Sequence, residues 1–112
     1  MDLVRKTVGD LLDEIALKFA EKEALVDLCH GKRFTYREFL AMVSQTAKGF
    51  LRLGLKQGDH VALWSPNRWE WTITQFALAK IGVVVISIDI NCNIEQLEYF
   101  LRQSDSKSLV MA

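Results

Sequence analysis

The chain has 112 residues, of which 50% are hydrophobic and 25% charged, a composition typical of a globular protein with a modest core. Its 14 basic and 14 acidic residues cancel without forming blocks of like charge, which argues against a nucleic-acid-binding protein with a basic stripe. No apolar run approaches the ~20 residues of a membrane helix, and no signal-peptide-like stretch opens the sequence, so we expect neither a transmembrane segment nor secretion.

The first element is a helix predicted to begin at Thr7. The Thr7 hydroxyl can accept a hydrogen bond from a free backbone N–H of the first turn, and Asp10 lies where a reciprocal cap or dipole partner would be. Asp13, Glu14 and Lys18 occupy one face, which we expect to be solvated. Apolar residues at helical spacing predict the buried stripe on the other face: Val8, Leu11, Leu12, Ile15 and Phe19.

A β-hairpin is predicted next. Residues 24–28 and 33–35 have the composition of short strands, and residues 29–32 form the turn between them. Gly31 can adopt a positive φ in this turn at little cost.

The second predicted helix starts at a capping box, formed by Thr35 and Glu38 at the required spacing. Gly54 is well placed to end this helix, and residues 57–59 form the following turn. Its buried stripe is predicted to contain Leu40, Val43, Ala47, Phe50 and Leu51.

From residue 61 onwards, predicted strands and helices alternate. Residues 61–64 form a strand, and Asn67 is expected to cap a helix that begins at Arg68, with Glu70 as the reciprocal partner. The buried face of this helix is predicted to contain Trp69, Ile73, Phe76, Ala77 and Lys80, with Lys80 reaching solvent from its edge. Gly82 is expected to end the helix.

The remaining elements complete a β-α-β-α-β pattern. Residues 83–88 are β-branched with no polar face, which is typical of a parallel strand covered on both sides. Asn93 is expected to cap a helix carrying Leu97, Phe100 and Leu101, and residues 108–112 form a last strand. Crossovers of this length favour a parallel sheet with right-handed connections.

The sequence thus predicts an α/β fold, in which an N-terminal helix and a β-hairpin precede a β-α-β-α-β parallel-sheet unit. Because the sequence stops inside an apolar strand, we expect residues 1–112 to be a single incomplete domain with a truncated C-terminus.

Glycines and histidines offer no clear catalytic motif. Gly54, Gly58 and Gly82 match neither a dinucleotide fingerprint nor a phosphate loop, and they lie where turns and helix ends need them. His30 and His60 lack a partner at metal-ligand spacing, so we interpret both as exposed or edge histidines without a catalytic task.

The serine and cysteine residues that could act as nucleophiles or metal ligands also form no recognisable motif. Ser65 is not part of a Gly-x-Ser-x-Gly elbow. Cys29 and Cys92 fit no metal or redox spacing and are predicted to be reduced thiols of a cytoplasmic protein. We therefore predict no catalytic, cofactor-binding or metal-binding residue within this chain.

Residues 64–71 are the richest segment, since they contain all three tryptophans and follow a predicted parallel strand at its carboxyl end, where open α/β sheets bind ligands. Trp69 and Trp71 are candidates for the wall of a substrate site or for an interface with the rest of a larger protein. The interpretation we favour from the residues is a helix start whose aromatic rings supply buried area.

Several segments resemble motifs of one enzyme family in order and spacing. Residues 34–39, Phe-Thr-Tyr-Arg-Glu-Phe, are similar to the early Thr/Ser-Tyr-x-Glu-Leu motif of adenylate-forming enzymes. Residues 54–62 are similar to their Gly-x-x-x-Gly-Asp-x-Val-Ala turn and strand, and residues 79–85 to their Lys-x-Gly-Ala helix end. Residues 65–71, Ser-Pro-Asn-Arg-Trp-Glu-Trp, resemble the Pro-Asn-x-x-Glu-Trp segment of fatty acyl-CoA synthetases. The family's prolines near Ser87 and Ile90 are absent here, so the loop after that strand lacks their stiffening effect.

This resemblance implies the first part of the large N-terminal domain of an acyl-CoA synthetase, an AMP-dependent ligase. Such enzymes join ATP and a carboxylic acid into an acyl-adenylate and pyrophosphate, and coenzyme A then displaces AMP. The resemblance implies ATP, Mg²⁺ and coenzyme A for the full enzyme, but the family's phosphate loop, its acidic motifs and its C-terminal lysine would lie beyond Ala112. The chain alone is expected to be inactive, with the remainder of the enzyme as its partner.

Three hypotheses remain open from the sequence. The first is a structural segment of a fatty-acid–CoA ligase, cytoplasmic or peripheral to a membrane in the full enzyme. The second is a stand-alone interaction module that pairs with a separate chain carrying the ATP motifs. The third is a small binding protein with its own ligand at the tryptophan segment. In the first case we also expect the exposed apolar surface to cause self-association or marginal stability.

Overall fold

The computed structural model describes residues 7–65, 68–88 and 91–111. Helices and strands follow one another in these ranges as α1 (Val8–Lys18), β1 (Glu23–Asp27), β2 (Lys32–Thr35), α2 (Tyr36–Arg52), β3 (His60–Trp64), α3 (Trp69–Lys80), β4 (Val84–Ser87), α4 (Ile94–Gln103) and β5 (Ser108–Met111). Strands β1 and β2 form the antiparallel hairpin, and the other three form a parallel sheet in the order β4-β3-β5. The predicted α/β fold class is confirmed.

Local capping signals place two helix starts as predicted. In α2, Thr35 Oγ1 accepts from the Glu38 backbone N–H at 3.2 Å, and Glu38 Oε1 accepts from the Thr35 N–H at 3.0 Å. In α4, Asn93 and Gln96 form the same reciprocal pair at 2.8 and 3.0 Å. Each pair satisfies two backbone donors that a helix start leaves without partners.

We expect Thr35→Ala to lower the free energy of unfolding by about 1 kcal/mol, because it removes the side-chain acceptor of the α2 capping box. Thr35→Ser keeps the hydroxyl and is the matched control. Urea unfolding followed by circular dichroism measures both variants, and equal stability of Thr35→Ala and the parent chain would contradict the role of the cap.

Helix α1 begins at the predicted cap but is rotated relative to the predicted stripe. Thr7 Oγ1 accepts from the Asp10 N–H at 3.1 Å. The buried residues of this helix are Gly9, Leu12 and Ala16, whereas Val8 is 51% exposed, and the predicted burial of Val8, Ile15 and Phe19 is wrong. The reason is non-local: a Cβ on Gly9 would lie 3.2 Å from the Lys80 Cα, so α1 packs on α3 through the side that lacks a side chain.

The contact between α1 and α3 also changes the environment of two charged residues. Lys80 Nζ donates to Asp13 Oδ1 at 2.9 Å, and the Lys80 side chain is 27% exposed. Asp13 was expected on a solvated face, and its side chain is 49% exposed; Lys80 was expected on the buried face with its end reaching solvent. The ion pair, which joins the two helices beside the Gly9 contact, was not predicted.

Helix α3 lies between two apolar clusters. Ile73 and Ala77 are buried with residues of α1 and α2. Leu78, which is absent from the predicted buried face, is fully buried in a second cluster on the sheet. Its companions in that cluster are Leu55, Val61 and Val83.

The start of α3 differs from the prediction. The helix begins at Trp69, one residue later than expected, and Arg68 occupies the cap position without a side-chain capping hydrogen bond. Asn67, the predicted cap, lies outside the described residues.

The parallel sheet is well covered only around its middle strand. Val61 and Ala62 of β3 are fully buried, between α3 on one face and α4 on the other. Strand β4 was predicted to be covered on both sides, but Val84 is 43% exposed. That expectation is wrong for Val84, which lies on an outer strand of the sheet in the described part of the chain.

Candidate functional site

Both predicted site residues line one groove. Trp69 and Trp71 lie in the first turn of α3, shortly after the carboxyl end of β3. Together with strand β1 they border an open groove of about 620 Å³, lined by Leu25, Val26, Asp27, Leu28, Arg68, Trp69, Trp71 and Thr72. The third tryptophan is not part of this groove, since Trp64 packs against the apolar cluster around Leu97.

The hairpin holds Trp69 from two sides. The Phe34 ring lies against the Trp69 ring with 5.3 Å between centroids and an interplanar angle of 41°. Lys32 Nζ lies 5.6 Å from the centre of the same ring, within the range of a cation–π interaction. Both partners come from β2, so the hairpin positions the indole that forms one wall of the groove.

Asp27, a residue that the sequence reasoning did not single out, joins the hairpin turn to the start of α3. Its Oδ2 accepts from His30 Nδ1–H at 2.8 Å, and its Oδ1 accepts from the His30 backbone N–H at 3.2 Å. The His30 side-chain hydrogen bond is the largest influence that lowers the pKa of Asp27, against burial, and the Trp69 backbone N–H lowers that pKa further. The Asp27 carboxylate thus lies close to the start of α3, where Arg68 provides no side-chain cap. The available signal was an Asp three residues before a turn His, a pattern typical of side-chain-stabilised turns.

Acidification should therefore loosen the hairpin. The pKa of folded Asp27 lies below its ordinary value of 3.8, so the charged carboxylate adds stability above that value. This contribution is lost as the pH falls through the lowered pKa. We expect Asp27→Asn to flatten the loss of stability between about pH 5 and about pH 2, measured by thermal unfolding across that range.

Asp105→Asn, on the exposed turn after α4, is the matched control for Asp27→Asn and should keep the pH dependence of the parent chain. Asp59 and Glu38 also have lowered pKa values, so Asp27→Asn should retain part of the acid sensitivity. Identical pH profiles for Asp27→Asn and the parent chain would contradict the tie between the hairpin and α3.

A second polar network lies at the amino end of the sheet. His60 Nδ1–H donates to the Ser104 carbonyl at 2.6 Å. Asp59 Oδ2 accepts from the Lys56 backbone N–H at 2.9 Å and from Lys107 Nζ at 3.2 Å. The Lys56 N–H is the main cause of the lowered Asp59 pKa. These bonds join loops at the amino end of the sheet. Open parallel sheets bind ligands at the opposite end, at the carboxyl ends of the strands.

The family comparison agrees with the fold. The family model described as AMP-binding enzyme matches residues 12–112. The chain belongs to the AMP-binding enzyme family.

Relatives within the AMP-binding enzyme family include acyl-CoA synthetases. Bacillus subtilis YngI, which is named as an acyl-CoA synthetase, is 40% identical over 110 residues, covering 98% of this chain and 20% of YngI. Human medium-chain acyl-CoA ligase ACSF2, a mitochondrial protein, is 36% identical over 105 residues, covering 94% of this chain and 17% of ACSF2. The chain therefore spans about a fifth of the length of the curated relatives it matches.

Two solved structures show the same fold. The N-terminal domain of Mycobacterium tuberculosis FACL13, solved with a bound inhibitor, superposes with a TM-score of 0.91 at 28% identity. This match covers 95% of the present chain and 27% of the FACL13 chain. The N-terminal subdomain of Klebsiella oxytoca NpsA gives a TM-score of 0.89 at 29% identity, with the same coverage of both chains.

Among the described residues, His, Cys, Asp and Glu side chains form no group of three that could hold a metal ion. Cys29 and Cys92 are free thiols. In the same ranges, no helix is both long and apolar enough to cross a membrane.

Proposed function

We propose that this chain is the N-terminal structural segment of a fatty-acid–CoA ligase. The full enzyme would convert ATP, a carboxylic acid and CoA into acyl-CoA, AMP and pyrophosphate through an acyl-adenylate. The observation that carries this proposal is the match of 98% of the chain to 20% of a protein named as an acyl-CoA synthetase.

The role of the segment follows from its architecture. It contributes a parallel sheet whose middle strand is fully covered and whose outer strands expose apolar side chains such as Val84. Adenylate formation concentrates negative charge and needs aligned donors and cations around the phosphates. We assign those groups, with the ATP, Mg²⁺ and CoA sites, to the polypeptide outside this segment, and we assign a scaffold role to the segment itself.

The proposal that the full enzyme acts on fatty acids rests on the relatives and on residues 64–71, which contain the tryptophans. ACSF2 is named as a medium-chain acyl-CoA ligase, and residues 65–71 resemble a segment of fatty acyl-CoA synthetases. In this proposal Trp69 and Trp71 form a wall that faces the rest of the enzyme. The location is proposed to be the cytoplasm, with the full enzyme free or peripheral to a membrane.

Pyrophosphate release tests the proposed function. The purified 112-residue chain is incubated with ATP, Mg²⁺, CoA and octanoate or palmitate, and pyrophosphate is measured against a reaction without fatty acid. We expect no release from the chain alone. Co-expression with the part of YngI that follows its matched segment should yield acyl-CoA, because the missing donors and cations are then supplied.

The outcomes separate the hypotheses. Release of pyrophosphate by the chain alone would overturn its scaffold role. Copurification from its own host with a separate chain that carries the ATP motifs would favour the stand-alone interaction module instead.

A further inference from the structure

Both faces of the parallel sheet are covered at the middle strand and partly open at β4. On the α3 face Val61 and Leu78 are fully buried, while a groove of about 440 Å³ remains beside Val83 and Val85. On the other face α4 packs over β3 through Leu97, but Val84 and Phe100 stay 43% and 40% exposed. We define the β4–α4 face by its residues Val84, Ile86, Ile88, Phe100 and Gln103.

The β4–α4 face is a continuous groove rather than a set of scattered side chains. A cavity of about 330 Å³ is lined by Ile86, Ser87, Ile88, Phe100, Gln103 and Ser104. The hydrogen bond from His60 to the Ser104 carbonyl fixes the end of α4 over the amino end of the sheet. Since His60 lies opposite Val84 in the strand register, Val84 extends the groove at that end.

The chemistry of the groove favours permanent cover. Its five defining residues include no charged side chain, and Glu98 of α4 pairs with Arg102 on the same helix. Parallel strands are normally buried on both faces, and the residues 83–88 have the apolar, β-branched composition of such a strand. An uncharged face of this kind is typical of an obligate interface rather than of a transient one.

We propose that the β4–α4 face is an internal interface of the whole enzyme, covered by an apolar segment of the same polypeptide outside this chain. This inference rests on the proposed function. The length of the relative indicates what covers this face. The chain spans only 20% of YngI, so most of the apolar surface of such an enzyme lies in the rest of the polypeptide. Cover from that polypeptide would bury Val84 and Phe100 in the way that α3 buries Leu78 on the opposite face.

The test uses a tagged 112-residue chain co-expressed with the part of YngI that follows its matched segment. Phe100→Glu and Val84→Glu place a charge on the β4–α4 face from the helix and from the strand. Leu17→Glu is the matched control, because Leu17 lies on α1 and is already 85% exposed. We expect copurified YngI polypeptide and acyl-CoA formation to fall at least about tenfold with each face variant and less than about twofold with the control.

Three results would overturn the proposal or its basis. If the parent chain captures the YngI polypeptide and both face variants do so equally, the inference is wrong while the proposed function stands. If the parent chain captures nothing and restores no activity, the proposed function fails, and the inference fails with it. If the charges abolish only a dimer of the chain, seen by sedimentation, the occupant is a second copy. Circular dichroism checks that each variant is folded.

Discussion

Leu78→Ala is expected to lower the free energy of unfolding by about 3 kcal/mol. Leu78 is fully buried on the sheet side of α3, where it packs with Val61 and Val83. Removing its branched end leaves a cavity between a helix and a sheet, and neither element can move to fill it, since α3 is also held by α1 and α2. Urea unfolding followed by circular dichroism measures the loss.

Leu17→Ala is the control for Leu78→Ala. The Leu17→Ala substitution removes the same atoms at a helical position that is 85% exposed, and leucine and alanine have similar helix propensities. The control should change stability by less than about 0.5 kcal/mol. A similar small loss for Leu78→Ala would show that α3 does not pack on the sheet as described.

Local signals made the starts of α1, α2 and α4 predictable. The predicted Thr35–Glu38 capping box and the predicted Asn93 cap are correct because capping involves residues only three apart, whose geometry depends little on the rest of the chain. The parallel sheet and the hairpin follow similarly from the alternation of short strands with helices and from short connections.

Packing partners were less predictable than element positions. The predicted buried stripe of α1 is wrong because the helix packs with Gly9 against Lys80. The spacing of apolar residues in α1 does not reveal this contact. Leu78 was missed for a related reason: α3 is apolar on most sides, so spacing alone cannot separate the face of Ile73 from the face of Leu78.

The groove was only partly visible in the sequence. Trp69 and Trp71 stood out by residue type and by their place after a parallel strand. Asp27 did not, because its role depends on the hairpin folding back onto the start of α3 and on the absence of a side-chain cap at Arg68. Such a contact between distant segments exists only in three dimensions.

Gly82→Ala is the second substitution with a large expected effect, about 3 kcal/mol of lost stability. Gly82 has φ +77°, and a Cβ there would lie 2.8 Å from Gln57 Cγ. The left-handed backbone alone costs an L-residue about 1–2 kcal/mol, part of which is offset by the reduced freedom of the unfolded chain. The steric overlap with Gln57 adds to this cost, since the turn at residues 57–59 is tied to the connection between α3 and β4 by the bond from the Gly58 N–H to the Gly82 carbonyl, 2.9 Å long.

Gly58→Ala separates the backbone cost from the overlap. Gly58 has φ +88° but no atom within 4 Å of an added Cβ, so its substitution should cost only about 1 kcal/mol. Combining Gln57→Ala with Gly82→Ala removes the overlapping side chain and should return the loss to the level of Gly58→Ala, a coupling that a double-mutant cycle measures. If Gly82→Ala and Gly58→Ala cost the same, or if Gln57→Ala gives no rescue, the side chain of Gln57 does not pack against Gly82 at the end of α3.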